Sequence, residues 1–97
     1  MVIVDYITLK GLYLNGRLPE VARTYRIAVT DLTMKKLLED RETSAIPMTV
    51  DLEVISTDKV SAAAALEVAS DSIELDSLIS RFTSLRMGLR FLPDMMG

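Results

Sequence analysis

No histidine, cysteine or tryptophan occurs among the 97 residues of this chain. Without histidine there is no ordinary general base, no Ser-His pair, no imidazole metal ligand and no titration switch near neutral pH. Without cysteine there is no disulfide framework, no thiol nucleophile and no thiolate metal site. Aromatic residues make up only 5% of the chain, so the core must be aliphatic. The four glycines, Gly11, Gly16, Gly88 and Gly97, form no phosphate-cradling loop. No apolar run approaches the length of a membrane span. The opening segment MVIVDYITLKG has no basic stretch ahead of its apolar residues, and Asp5 interrupts it, which argues against a secretory signal. The expectation is a cytoplasmic protein.

What is present is 49% hydrophobic residues, far too many for a disordered chain. The length suits one domain, residues 1–97, with a single core and modest stability to spare. The net charge of −3 is unevenly spread. Residues 10–41 carry a net +3, residues 42–80 a net −7 and residues 81–97 a net +2. An acidic middle between basic flanks fits charge balance within one fold, and it also fits association between copies.

Periodicity and turn chemistry supply the expected elements. Val2–Leu9 is β-branched and reads as a strand with apolar residues on both faces. Leu12–Leu14 continues extended to Asn15-Gly16, a dipeptide suited to a two-residue hairpin turn. Residues 21–29 return as a strand whose start is weakened by Pro19. Thr30 or Asp31 caps a helix, DLTMKKLLEDRE. Met48, Val50, Leu52 and Val54 then alternate with polar residues, as in a half-buried strand. Ser56, Thr57 and Asp58 offer caps for KVSAAAALEVAS, whose alanines favour close packing. Asp71 with Glu74 resembles a capping box opening a third helix, which Pro93 stops before the loose tail DMMG. The expected fold is α+β: a three- to four-stranded, mainly antiparallel sheet with helices on one face, in the order β-β-α-β-α-α.

Chemistry-bearing residues are few. Asp51 and Glu53 share a strand face, and Asp71 and Glu74 share a helix start. Either pair could offer oxygen ligands to Mg²⁺ or Ca²⁺, but two ligands are too few. A solvated strand face and a compensated helix dipole explain them as well. Ser56 or Ser61 beside Lys59 is a sequence neighbour, not a catalytic pair. The basic residues Arg17, Arg23, Arg26, Lys35, Lys36 and Arg41 could form a small patch, yet a pI near 4.8 argues against nucleic acid as a partner. The sequence therefore points to no catalytic residue, no cofactor and no metal.

The last helix, LDSLISRFTSLRMGLRFL, is the most informative segment. Leu75, Leu78, Phe82, Leu85, Leu89 and Leu92 form an a/d seam, the spacing by which one helix packs along another element. Arg81, Arg86 and Arg90 flank it, as on a membrane-surface helix, but the back is serine-rich and carries no tryptophan. The seam is expected to cover the chain's own sheet. Ser80, Ser84, Met87, Gly88 and Phe91, on the other side, are then the candidate interface with a second copy. The functional expectation is a non-enzymatic, homo-oligomeric structural, adaptor or regulatory protein, of the motif-free kind common in viruses and mobile elements. Its partner is itself, as a dimer or higher oligomer, or another protein. The alternative is a small-molecule-binding regulatory domain, with the ligand between sheet and helices or at a dimer interface; Gly11, Gly16, Arg23 and Arg26 would then matter.

Overall fold

The computed structural model describes residues 1–96. Four short strands form one sheet: β1 (Val2–Ile3), β2 (Ile27–Thr30), β3 (Leu52–Ile55) and β4 (Arg90–Phe91). Six helices connect them, two between each successive pair of strands: α1 (Tyr6–Leu14), α2 (Leu18–Thr24), α3 (Asp31–Glu39), α4 (Ile46–Thr49), α5 (Lys59–Val68) and α6 (Ser72–Met87). A 3-10 turn, Leu92–Met95, follows β4. The order across the sheet is β3-β2-β1-β4, and every pairing is parallel. This overturns the expected antiparallel sheet. Residues 6–9, 12–14, 21–24 and 48–49, expected to be extended, are helical, so each strand returns to the sheet through a helical crossover and not through a hairpin. Among the described residues, no helix is long and apolar enough to cross a membrane.

Local capping explains where the reading failed. Asp5 is the N-cap of α1, its side chain accepting from the Thr8 backbone N–H at 3.2 Å. The extended run therefore ends before Tyr6 despite its β-branched composition. Asn15-Gly16 ends α1 and makes no hairpin. Asn15 is the C-cap, and Gly16 takes the left-handed conformation at φ 71°, which costs other residues about 1–2 kcal/mol. Pro19 and Pro47 lie in the first turns of α2 and α4, where a missing N–H goes unnoticed. The caps at Thr30, Asp58 and Asp71 stand where expected, accepting from Thr33, Ser61 and Glu74 backbone N–H groups. Glu74 reaches back to the Ser70 N–H at 3.2 Å. The last helix stops at Met87, five residues short of the expected end, because Gly88 adopts φ 68° as a left-handed C-cap. Leu89 and Leu92 of the seam thus belong to β4 and its flanks. Of the DMMG tail, Asp94 and Met95 lie in the 3-10 turn, and Gly97 lies outside the described residues.

Alternation along the strands divides the core in two. Val2, Val4, Ile27 and Val29 face Leu9 and Leu12 of α1, Leu18 of α2, Leu37 of α3 and Ile46 of α4. Ile3, Ala28 and Phe91 face the other way, flanked by Ile55 and Leu89. On that side α6 runs against β1 and β4, and its Arg81 guanidinium sits 4.8 Å from the centre of the Phe91 ring. Helices therefore cover both faces, not one, as parallel strands require.

The seam is not the buried face of α6. Asp76, Ile79, Ser80, Thr83 and Ser84 are buried, whereas Leu85 is 71% exposed and Leu75, Leu78 and Phe82 are half-buried. Small hydroxyl side chains let α6 approach the sheet closely, and α5 packs against α6. Ile79→Ala is expected to cost about 2–5 kcal/mol, the usual penalty for emptying a core position, and Leu85→Ala no more than about 0.5 kcal/mol. Urea unfolding of both variants tests the assignment of faces; equal losses would reverse it. Thr83 Oγ1 is buried with no hydrogen-bond partner among the described residues. Thr83→Val removes that unpaired hydroxyl at nearly constant shape, so its urea midpoint should rise by the equivalent of about 1 kcal/mol.

Candidate functional site

In an open parallel sheet, a crevice opens beyond the carboxyl ends of two neighbouring strands whose connections leave in opposite directions, and ligands favour it. Here that point lies between β1 and β4. From β1 the chain proceeds outward to β2 and β3, then crosses back to β4 on the far side of β1. Asp5 stands just past the carboxyl end of β1 and is buried. Asp76, on the first half of α6, is buried beside it.

A polar network joins these two acids to three helices. Asp5 receives the Thr8 N–H on one oxygen and the Ser77 hydroxyl on the other, at 3.2 and 2.6 Å. Asp76 receives the Tyr6 N–H at 2.8 Å and the Thr33 hydroxyl at 2.6 Å. Thr33 in turn receives the Thr30 hydroxyl at 3.3 Å and lies 3.5 Å from Ser80 Oγ. The N-terminus of α1 is thus capped twice, by Asp5 from its own chain segment and by Asp76 from α6. Each of the four carboxylate oxygens holds one donor from the chain.

Burial holds the Asp76 carboxyl above its ordinary 3.8, and the nearby Asp5 pushes in the same direction. The Thr33 and Tyr6 hydrogen bonds, and the charge of Lys36, pull it back. At the rim, Tyr6 and Lys10 both donate to Asp40, Lys10 at 2.8 Å, and hold its carboxyl down to about 2. Lys10 also lies 3.4 Å from Glu42. A shallow cleft bounded by Tyr6, Lys36, Glu39, Asp40, Ser72 and Ile73 opens above this rim. Among the described residues, no group of three or more acidic side chains is placed to hold a metal ion.

The residues singled out from sequence fall elsewhere. Ser80 and Ser84 are buried under α6, and Phe91 is buried against Arg81, so these three are closed to a second copy. They turn inward because α6 presents its small face to the sheet and because Phe91 lies on the inward alternation of β4. Met87 and Gly88 remain at the surface. Asp51 is exposed at the start of β3, and Glu53 pairs with Arg26 across the β2–β3 ladder. Asp71 and Glu74 serve the cap of α6. Ser61 is buried and bonded to Asp58, away from any role with Lys59. Asp5 and Asp76 escaped sequence reasoning because they lie far apart in the chain. The available signal was an acid ending an apolar strand, and an acid heading the Asp76, Ser80, Ser84 row on the small-residue face of α6. Comparison with family models, with curated proteins and with solved structures finds no match.

The raised Asp76 carboxyl makes a signed pH prediction. The folded chain holds this proton more tightly than the unfolded chain, whose carboxyl titrates near 3.8. As pH rises from that value through the raised one, Asp76 withdraws stability, and above it the whole penalty is present. Asp31, Asp40 and Asp58 act oppositely: their carboxyls are lowered, so their contribution is lost on acidification. Asp76→Asn removes only the first titration. The stability difference between wild type and this variant should therefore shift towards the wild type as pH falls from about 7 to 3.5, read from urea midpoints. A difference that stays flat would show that burial does not raise this group.

Proposed function

We propose that the chain is a non-enzymatic, self-associating protein whose structural, adaptor or regulatory role is exercised through protein–protein contacts. The observation that carries this reading is the surface of α5. Only Ser61 and Ala65 of that helix are buried. Val60, Leu66 and Val68 are 59%, 65% and 62% exposed. A helix that gives its core side a serine and an alanine, and gives solvent its larger aliphatic side chains, has its apolar surface on the outside. Val54, at the free edge strand β3, and Leu85 of α6 add two more apolar side chains over half exposed. We take this outward-facing apolar surface as the contact site. The carboxyl edge of the sheet supports the same reading, since the acids there are already committed to capping α1.

Static light scattering across a concentration series tests it. The expected result is a mass rising from that of the 10.8 kDa chain towards twice that value. A second reading, a small-molecule-binding regulatory domain, draws on the cleft beside Tyr6, Lys36 and Asp40. A monomer at every concentration, with a melting temperature raised by a polar metabolite, would favour that reading instead.

A further inference from the structure

We infer that the partner surface is α5 of a second copy, docked antiparallel across a two-fold axis near Ala63. The inference rests on the self-association reading above. At about 100° per residue, Lys59, Val60, Ala63, Leu66 and Glu67 fall within a sector of about 120°. That sector lies opposite Ser61 and Ala65, the two buried residues. Ala63 sits at its centre, and its small side chain lets a second backbone approach. Val60 and Leu66 flank it and supply the apolar area.

Charge selects the orientation. Lys59 opens the helix and Glu67 nearly closes it, eight residues or about 12 Å apart on the same sector. Neither is in an ion pair with another described residue, although Asp58 beside Lys59 is held by Arg86 at 2.8 Å. A two-fold axis through Ala63 brings Lys59 of each copy against Glu67 of the other, so both charges are answered twice. A parallel arrangement would set Lys59 against Lys59 and Glu67 against Glu67. The surface is therefore self-complementary in one orientation only, as an isologous interface requires. A ten-residue helix about 15 Å long covers less than a standard interface. The dimer is accordingly weak and concentration-dependent.

A charge swap tests the orientation by sedimentation equilibrium, with thermal melts to confirm folding. Lys59→Glu places an acid in the first turn of α5, and Glu67→Lys a base in the last turn, so both favour the helix dipole and should leave the chain folded. Each single variant is expected to weaken self-association at least about tenfold, because two attractive pairs become repulsive. The double variant should recover the wild-type constant. So should an equimolar mixture of the two single variants, as a heterodimer. A wild type that stays monomeric to several hundred micromolar would overturn both the self-association reading and this inference. A wild-type dimer indifferent to the reversals, or weakened by them without recovery in the double variant and the mixture, would leave self-association standing and overturn the α5 pairing.

Discussion

The fold depends on one double cap. The first backbone N–H groups of α1 have no partners within the helix, and they point at the buried carboxyl edge of β1. Asp5 satisfies one from within the same segment, and Asp76 satisfies another from α6, 70 residues away. A hydrogen bond to a charged group of this kind contributes about 1.5–3 kcal/mol, and leaving the donor buried and unpaired would cost a similar amount. The bond between Asp76 and the Tyr6 N–H fixes how far α6 slides along the sheet. With α6 in that register, Arg81 falls over Phe91 and Gly88 turns the chain into β4. The placement of the last strand thus follows from a side chain on the helix before it.

The cost of this arrangement is carried by α6. Its inward face must be polar where it meets the α1 cap and thin where it crosses the strands. That explains the row of Asp76, Ser80, Thr83 and Ser84 and the single large aliphatic residue, Ile79, among them. Hydroxyls in such a place need partners, and among the described residues Thr83 has none. Ser80 finds Thr33, and Ser84 donates to the Arg81 carbonyl at 2.6 Å. The leucines displaced from that face turn outward, Leu75 and Leu78 half-buried and Leu85 open. A helix with a strict a/d row can therefore place it sideways when a buried polar network claims the core side.

The boundaries set by local chemistry were legible in the sequence, and those set by distant contacts were not. Thr30, Asp58 and Asp71 cap helices because each needs only its own backbone N–H groups a few residues on. The extended character of Ile27–Val29 and Leu52–Val54 was visible in their alternation. Tyr6–Leu14 was misread because its Ile, Thr, Tyr and Leu residues suit either state, and what makes it helical is partly Asp76. Pro19 reads as an interruption of a strand, though a proline in the first turn of a helix leaves the same local signature. Once α1 and α2 are taken for strands, an antiparallel hairpin follows, and the parallel sheet disappears with it. The candidate site was hidden for the same reason: its two acids meet only through the topology.

The double cap also shapes what the surface is left to do. A ligand at the switch point would have to compete with Thr8, Ser77, Tyr6 and Thr33 for the oxygens of Asp5 and Asp76, and each donor displaced loosens a helix end. The edge of the sheet that is most open to binding in folds of this kind is thereby tied to stability. The opposite holds for α5. It touches the rest of the chain through Ser61 and Ala65, so its outer side chains can engage another surface without unpacking a core. Within the acidic middle of the chain α5 is itself neutral, with one basic and one acidic side chain at its two ends and no other charge between them. A sector with opposite charges at its two ends and alanine at its centre is complementary to an inverted copy of itself, and this is why the proposed partner is a second copy of the chain.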